Sequence, residues 1–119
     1  MTNQVAYTST PNTTPVNTFA AQPIIASGFG TAPKIVGATP NAFAITIGSG
    51  GANNGVLTLP PAPNGWIAFA NDLNISTGVY ILQTASSTTS ITVTSYSNTS
   101  GSASPMTAGD VVLFNCIPY

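Results

Sequence analysis

Residues 111–117, close to the end of the chain, read VVLFNCI. Two sets of side chains alternate along this stretch, one being Val112, Phe114 and Cys116 and the other Val111, Leu113, Asn115 and Ile117. A period of two is that of an extended chain whose successive side chains point to opposite faces of a sheet. The stretch therefore predicts a β-strand with one face buried.

The same period recurs upstream in five short segments, at 43–47, 56–59, 66–70, 79–84 and 91–96. Gly, Pro and Asn separate these segments, and the Asn54-Gly55 and Asn64-Gly65 pairs are typical of tight turns. The helical spacing of i, i+3, i+4, i+7 is not seen. We therefore expect an all-β fold, a small antiparallel β-sandwich or jelly-roll-like domain of six or seven strands over residues 35–119.

Residues 1–34 differ in composition, being rich in Thr, Asn and Pro, with proline at positions 11, 15, 23 and 33. Proline disfavours helices and central strands, so the segment predicts an extended N-terminal arm, ordered against a partner rather than loose. The expected partner contacts are the apolar residues of the arm and the cation that ends it: Val5, Tyr7, Val16, Phe19, Ile24, Ile25, Phe29 and Lys34. The alternative for Lys34 is a solvated residue at a sheet edge.

Charge is almost missing from the chain, whose 119 residues include one Lys, two Asp and no His, Arg or Glu. General acid–base catalysis needs titratable groups, so we expect no enzyme, no cofactor and no metal centre. A single cation cannot neutralise a row of phosphates, so we expect neither a nucleic-acid nor a membrane partner. With near-zero net charge, the chain is expected to associate with itself.

Four individual residues have two interpretations each. Asp72 and Asp110 are expected in Asx-type turns, with a Ca²⁺ site completed by Asn oxygens as the alternative. Trp66 is expected as a core anchor, and the alternative is an exposed ring that stacks on a sugar with Asn71 and Asp72 beside it. Cys116, the single cysteine, is expected to be a small buried hydrophobe rather than an inter-chain disulfide.

The C-terminal two-thirds of the chain, about residues 40–119, resembles a small β domain found in virion proteins of tailed bacteriophages. The resemblance rests on three segments: Asn64, Gly65 and Trp66; then Gln83, Thr84 and Ser90 to Thr94; then Ala108 to Val111 and Cys116. It implies a capsid decoration (cement) protein, a head fibre or a tail-fibre module, as a homo-oligomer.

We therefore predict a capsid decoration protein that binds the outer capsid surface of a virion assembled in the host cytoplasm. Its expected partners are the major capsid protein and copies of itself, as a homodimer or homotrimer. The alternative is a head- or tail-fibre recognition module that binds host-surface glycans through Trp66, Asn71 and Asp72. A cellular adhesin is a third hypothesis, and the opening residues MTNQVAYTST, which lack a secretion-signal pattern, count against it.

Overall fold

The computed structural model describes residues 21–74 and 78–119. In these ranges the chain forms eight strands and no helix. The strands are β1 (Ile24–Ser27), β2 (Lys34–Thr39), β3 (Ala42–Thr46), β4 (Asn54–Thr58), β5 (Trp66–Asp72), β6 (Val79–Ser86), β7 (Ser90–Ser97) and β8 (Val111–Pro118). The predicted all-β class is confirmed.

The strands form two antiparallel sheets of four. The first sheet has the order β1-β4-β7-β6, and the second has the order β2-β3-β8-β5. The core contains apolar side chains from both sheets, so the sheets pack face to face as a sandwich. The period of two correctly predicted which face of β5 and β8 is buried, since buried and exposed residues alternate along both strands.

Three phenylalanines make the centre of the core. Phe43 and Phe114 lie on neighbouring strands of the second sheet and stack with ring centroids 5.0 Å apart. Phe29 meets Phe114 edge to face at 6.2 Å. Phe29 belongs to the loop between β1 and β2, so this loop closes one side of the sandwich.

The predicted boundary at residue 35 lies too late in the chain. Ile24 and Ile25 in β1 pair with Thr58 and Leu57 in β4, and the Phe29 side chain is 0% exposed. Part of the segment assigned to the arm therefore belongs to the β domain. Pro23 and Pro33 flank this part without interrupting the strand, which is why the proline pattern was misleading.

The prediction of a turn at Asn54-Gly55 is also wrong, because both residues lie in β4. Gly55 faces inward, and a Cβ at this position would lie 2.5 Å from Cζ of Phe29. The glycine is required because the Phe29 ring packs directly on the strand backbone. Asn64-Gly65, in contrast, lies in the bend that precedes β5.

Candidate functional site

The residues predicted to contact a partner from the arm fall into three groups. Val5, Tyr7, Val16 and Phe19 lie outside the described residues. Ile24 is exposed on β1, whereas Ile25 packs against the core. Phe29 is wholly buried, so its assignment as a partner contact is wrong: the energy of burying its ring already stabilises the domain. Lys34 is exposed at the start of β2.

Trp66 is a core anchor, as expected. Its side chain is 1% exposed, and its indole Nε1 donates to the Pro60 carbonyl oxygen at 3.0 Å. A ring buried to this degree has no face to offer a sugar, so the assignment of Trp66 as a glycan contact is wrong. Asn71 is exposed and Asp72 is buried, on opposite faces of β5, so the three residues do not form one site.

The free edge of β5 is closed by side chains of β6. Gln83 Nε2 donates to the Trp66 carbonyl at 2.8 Å, and Gln83 Oε1 accepts from the Ala68 N–H at 2.8 Å. The hydroxyl of Ser86 accepts from the Trp66 N–H at 2.9 Å. The amide of Gln83 thus occupies the place of a neighbouring strand, and this edge of the second sheet cannot accept another chain there.

A shallow depression of about 450 Å³ lies where β5 and β6 meet, beside Tyr119. Its polar groups are already engaged, since Gln83 and Ser86 bond to β5 and the Thr84 hydroxyl bonds to that of Thr94 at 2.7 Å. The depression therefore offers few unengaged groups to a polar ligand.

Asp72 and Asp110 come together in space, which their separation in sequence did not reveal. Asp72 Oδ1 accepts from the Asn74 N–H at 2.7 Å, so the predicted Asx turn is confirmed. Burial raises the pKa of Asp72 from 3.8 to about 6. The Asn74 N–H opposes this, whereas the charge of Asp110 and a hydrogen bond that the protonated Asp72 carboxyl donates to the Asp110 side chain add to it. The antiparallel pairing of Asp72 with Val112 brings Asp110 alongside.

No group of three or more His, Cys, Asp or Glu side chains occurs among residues 21–74 and 78–119. Cys116 is buried, as expected, and burial raises the pKa of its thiol to about 12, so it stays a protonated thiol at neutral pH.

The outer face of the second sheet carries several exposed apolar side chains. We use this name for the outward side chains of β2, β3, β5 and β8, including the adjoining Leu73. Its exposed apolar members are Val36, Ile67, Phe69, Leu73, Leu113 and Ile117. The sequence placed Ile67 and Phe69 opposite Trp66, which is correct, but it did not predict that this side would remain uncovered.

Comparisons with protein-family models, curated proteins and solved structures gave no significant match. Within the described residues, no helix has the length and apolar character needed to cross a bilayer. The function is therefore inferred from the chain's own residues and surfaces.

Proposed function

We propose that this chain is a structural component of a tailed-bacteriophage virion, a decoration protein on the outer capsid surface that associates with copies of itself. The observation that carries the proposal is the apolar outer face of the second sheet on a chain with three charged side chains in 119 residues. Charged side chains normally keep a free monomer soluble. A protein without them is suited to life inside an assembly, where uncharged surfaces are buried without a desolvation cost for ions.

The positions of the titratable groups support a structural role. The two carboxyl groups are buried against each other, and the thiol of Cys116 is buried and protonated at neutral pH. A general base or a nucleophile must reach its substrate, and these groups face the protein interior instead.

The start of the described chain supports a docking role for the preceding segment. Gln22 Nε2 donates to the carbonyl oxygen of Gly37 in β2. Gln22, which follows residues 1–20 in the sequence, therefore lies beside the edge of the second sheet opposite to the one that Gln83 closes. We assign capsid contact to these residues, through Val5, Tyr7, Val16 and Phe19, in place of the longer predicted arm.

The test uses particles of the virus that encodes the chain, stripped of this protein. Full-length chain is expected to pellet with the particles and to raise their rupture temperature. The variant Val16→Asp/Phe19→Asp should bind at least about tenfold more weakly, since burying a carboxylate costs more than 1.4 kcal/mol. Thr13→Asp/Thr14→Asp is the control, because it adds the same charge to the same segment without removing apolar side chains.

Two outcomes contradict the proposal. If the full-length chain does not bind stripped particles, it is not a decoration protein of that virion. If it fails to bind particles but is retained on a column of host-surface glycans, the recognition-module hypothesis replaces it.

A further inference from the structure

The outer face of the second sheet is continuous across all four strands. The register places Ile67 beside Ile117 and Phe69 beside Asn115 on the pair β5 and β8. On the other side of β8, Leu113 lies beside Ala44, which in turn lies beside Val36 of β2. Side chains that are neighbours across strands lie about 5 Å apart. The apolar residues therefore form one patch and not isolated contacts.

The patch is large for a chain of this size. The exposed fraction is 71% for Val36 and 61% for Phe69, and the other four large members lie between 37% and 55%. Exposure of this extent presents roughly 500 Å² of apolar surface, near the upper end for the largest patch on a monomer. The whole face measures roughly 20 by 24 Å from strand spacing and length, which approaches the footprint of a standard protein interface.

Polar groups on the face are almost entirely uncharged. Asn71 lies beside Leu113, and Asn115 lies beside Phe69. Both carboxylates of the chain, Asp72 and Asp110, point into the interior instead. Of the face's described residues only Lys34 is charged, and it lies at the end of β2, on an edge strand.

The distribution of charged and polar groups on this face indicates which kind of partner it can bind. A basic partner would find no complementary charge among the described residues of this face, and an acidic partner would find only Lys34, so electrostatic recognition is weak. A carboxamide such as that of Asn71 is both donor and acceptor, so it can pair with the same side chain of a second copy across a two-fold axis. An apolar face with uncharged amides is therefore complementary to itself.

We propose that two copies of this chain associate through the outer faces of their second sheets, packed about a two-fold axis. This inference rests on the proposed function, which includes self-association, and adds the surface through which the copies associate. Sheets packed face to face lie about 10 Å apart, and at that distance Phe69 and Ile67 of each copy are buried. The dimer so formed is a four-layer unit of sheets, with both first sheets on the outside.

The experiment measures the mass of the full chain in solution by sedimentation equilibrium over a concentration series, without particles. The unmodified protein should have twice the 12.0 kDa chain mass. Phe69→Lys should raise the dissociation constant at least about 100-fold, because it brings two like charges into the contact. Its far-UV circular dichroism should be unchanged, because the side chain lies outside the core.

The matched control is Leu82→Lys. Leu82 is a strand residue of similar exposure, 53%, on the outer side of the first sheet. It should leave the dimer intact. Asn71→Asp is a second test that removes no apolar surface: it places two carboxylates near the axis and should also weaken the dimer, more at pH 7 than at pH 3.

If the unmodified protein is monomeric at about 100 µM, the inference is overturned, since a dimer whose dissociation constant lies above this concentration is too weak to persist in an assembly. Equal dissociation by Phe69→Lys and Leu82→Lys overturns the assignment of the surface. If the protein is monomeric and Phe69→Lys makes residues 1–20 more sensitive to protease, the occupant is the chain's own N-terminal segment. Binding to stripped particles is measured in a separate assay, so a failure of the dimer and a failure of the capsid function are distinguished.

Discussion

Replacing Asp72 by asparagine should stabilise the protein at neutral and alkaline pH. In the folded chain the carboxyl of Asp72 is buried beside that of Asp110, and its pKa is raised from 3.8 to about 6. Above pH 6 two carboxylates are held together in the interior, which is unfavourable. An asparagine keeps the acceptor for the Asn74 N–H and carries no charge, so the repulsion disappears.

The direction of the pH dependence follows from the two states. The unfolded chain loses the Asp72 proton near pH 3.8, whereas the folded chain keeps it until about pH 6. Stability is therefore highest below pH 3.8, falls as the pH rises through this window, and is level above it. A shift of about two pKa units corresponds to about 3 kcal/mol, which solvent screening at the end of the strand reduces to about 2 kcal/mol.

The chain is well suited to this measurement. It contains no His or Glu, so no such side chain adds to the titration of Asp72 in this pH range. Trp66 is its single tryptophan and is buried, so tryptophan fluorescence reports global unfolding. Guanidinium denaturation at pH 4 and pH 8 should show the unmodified protein weaker at pH 8 by about 2 kcal/mol, while Asp72→Asn changes little.

Asp110→Asn is the control for the origin of the effect: it removes the charge of the other member of the pair and should reduce the same pH dependence without abolishing it, because burial still raises the pKa of Asp72. The reasoning is refuted if the unmodified protein gains stability between pH 4 and pH 8. It is also refuted if Asp72→Asn is the less stable protein at pH 8.

Three further substitutions test the packing. Phe29→Ala should lower the free energy of unfolding by about 3–4 kcal/mol in guanidinium denaturation; a cost below about 1 kcal/mol would mean that the loop after β1 is not part of the core. Gly55→Ala should cost about 1–3 kcal/mol in the same assay, because its Cβ meets the ring of Phe29, and unchanged stability would contradict this contact. Gln83→Leu should lower the free energy of unfolding by about 2 kcal/mol and promote aggregation measured by light scattering, since the Ala68 N–H loses its acceptor and the Trp66 carbonyl loses one of its two donors. Gln22→Leu, at the exposed β2 edge, should have a much smaller effect.

Local alternation was sufficient to predict most of the sheets. In β5 and β8 each buried residue is followed by one that is less buried, so the period of two is visible without knowledge of the fold. β1 and β2 are not among the segments that the sequence pattern predicts. The four residues of β1 between Pro23 and Gly28 are too few to show a period. The buried position of Phe29 depends on the strand that it covers, and that strand lies more than twenty residues further along the chain.

The sites were less predictable, because they depend on how distant strands pair. The residue pattern could not place Asp110 against Asp72, which follows only from the register of β5 with β8. Conversely, Asn71, Asp72 and Trp66 are near in sequence, but Asn71 lies on the exposed face of β5 whereas Trp66 and Asp72 lie on its buried face. The outer face of the second sheet was visible as alternate apolar residues, but the alternation alone does not say which of the two apolar faces remains exposed.

If this chain is a virion component, as we propose, purified particles must contain it in a defined number of copies. Particles of the encoding virus would be purified through a density gradient, and the chain would be quantified by mass spectrometry against the major capsid protein. We expect a fixed number of copies per particle that does not change on repeated purification. Stripping the shell should remove the protein, and adding the full-length chain should restore the original copy number. A copy number that falls toward zero with each purification step would contradict it.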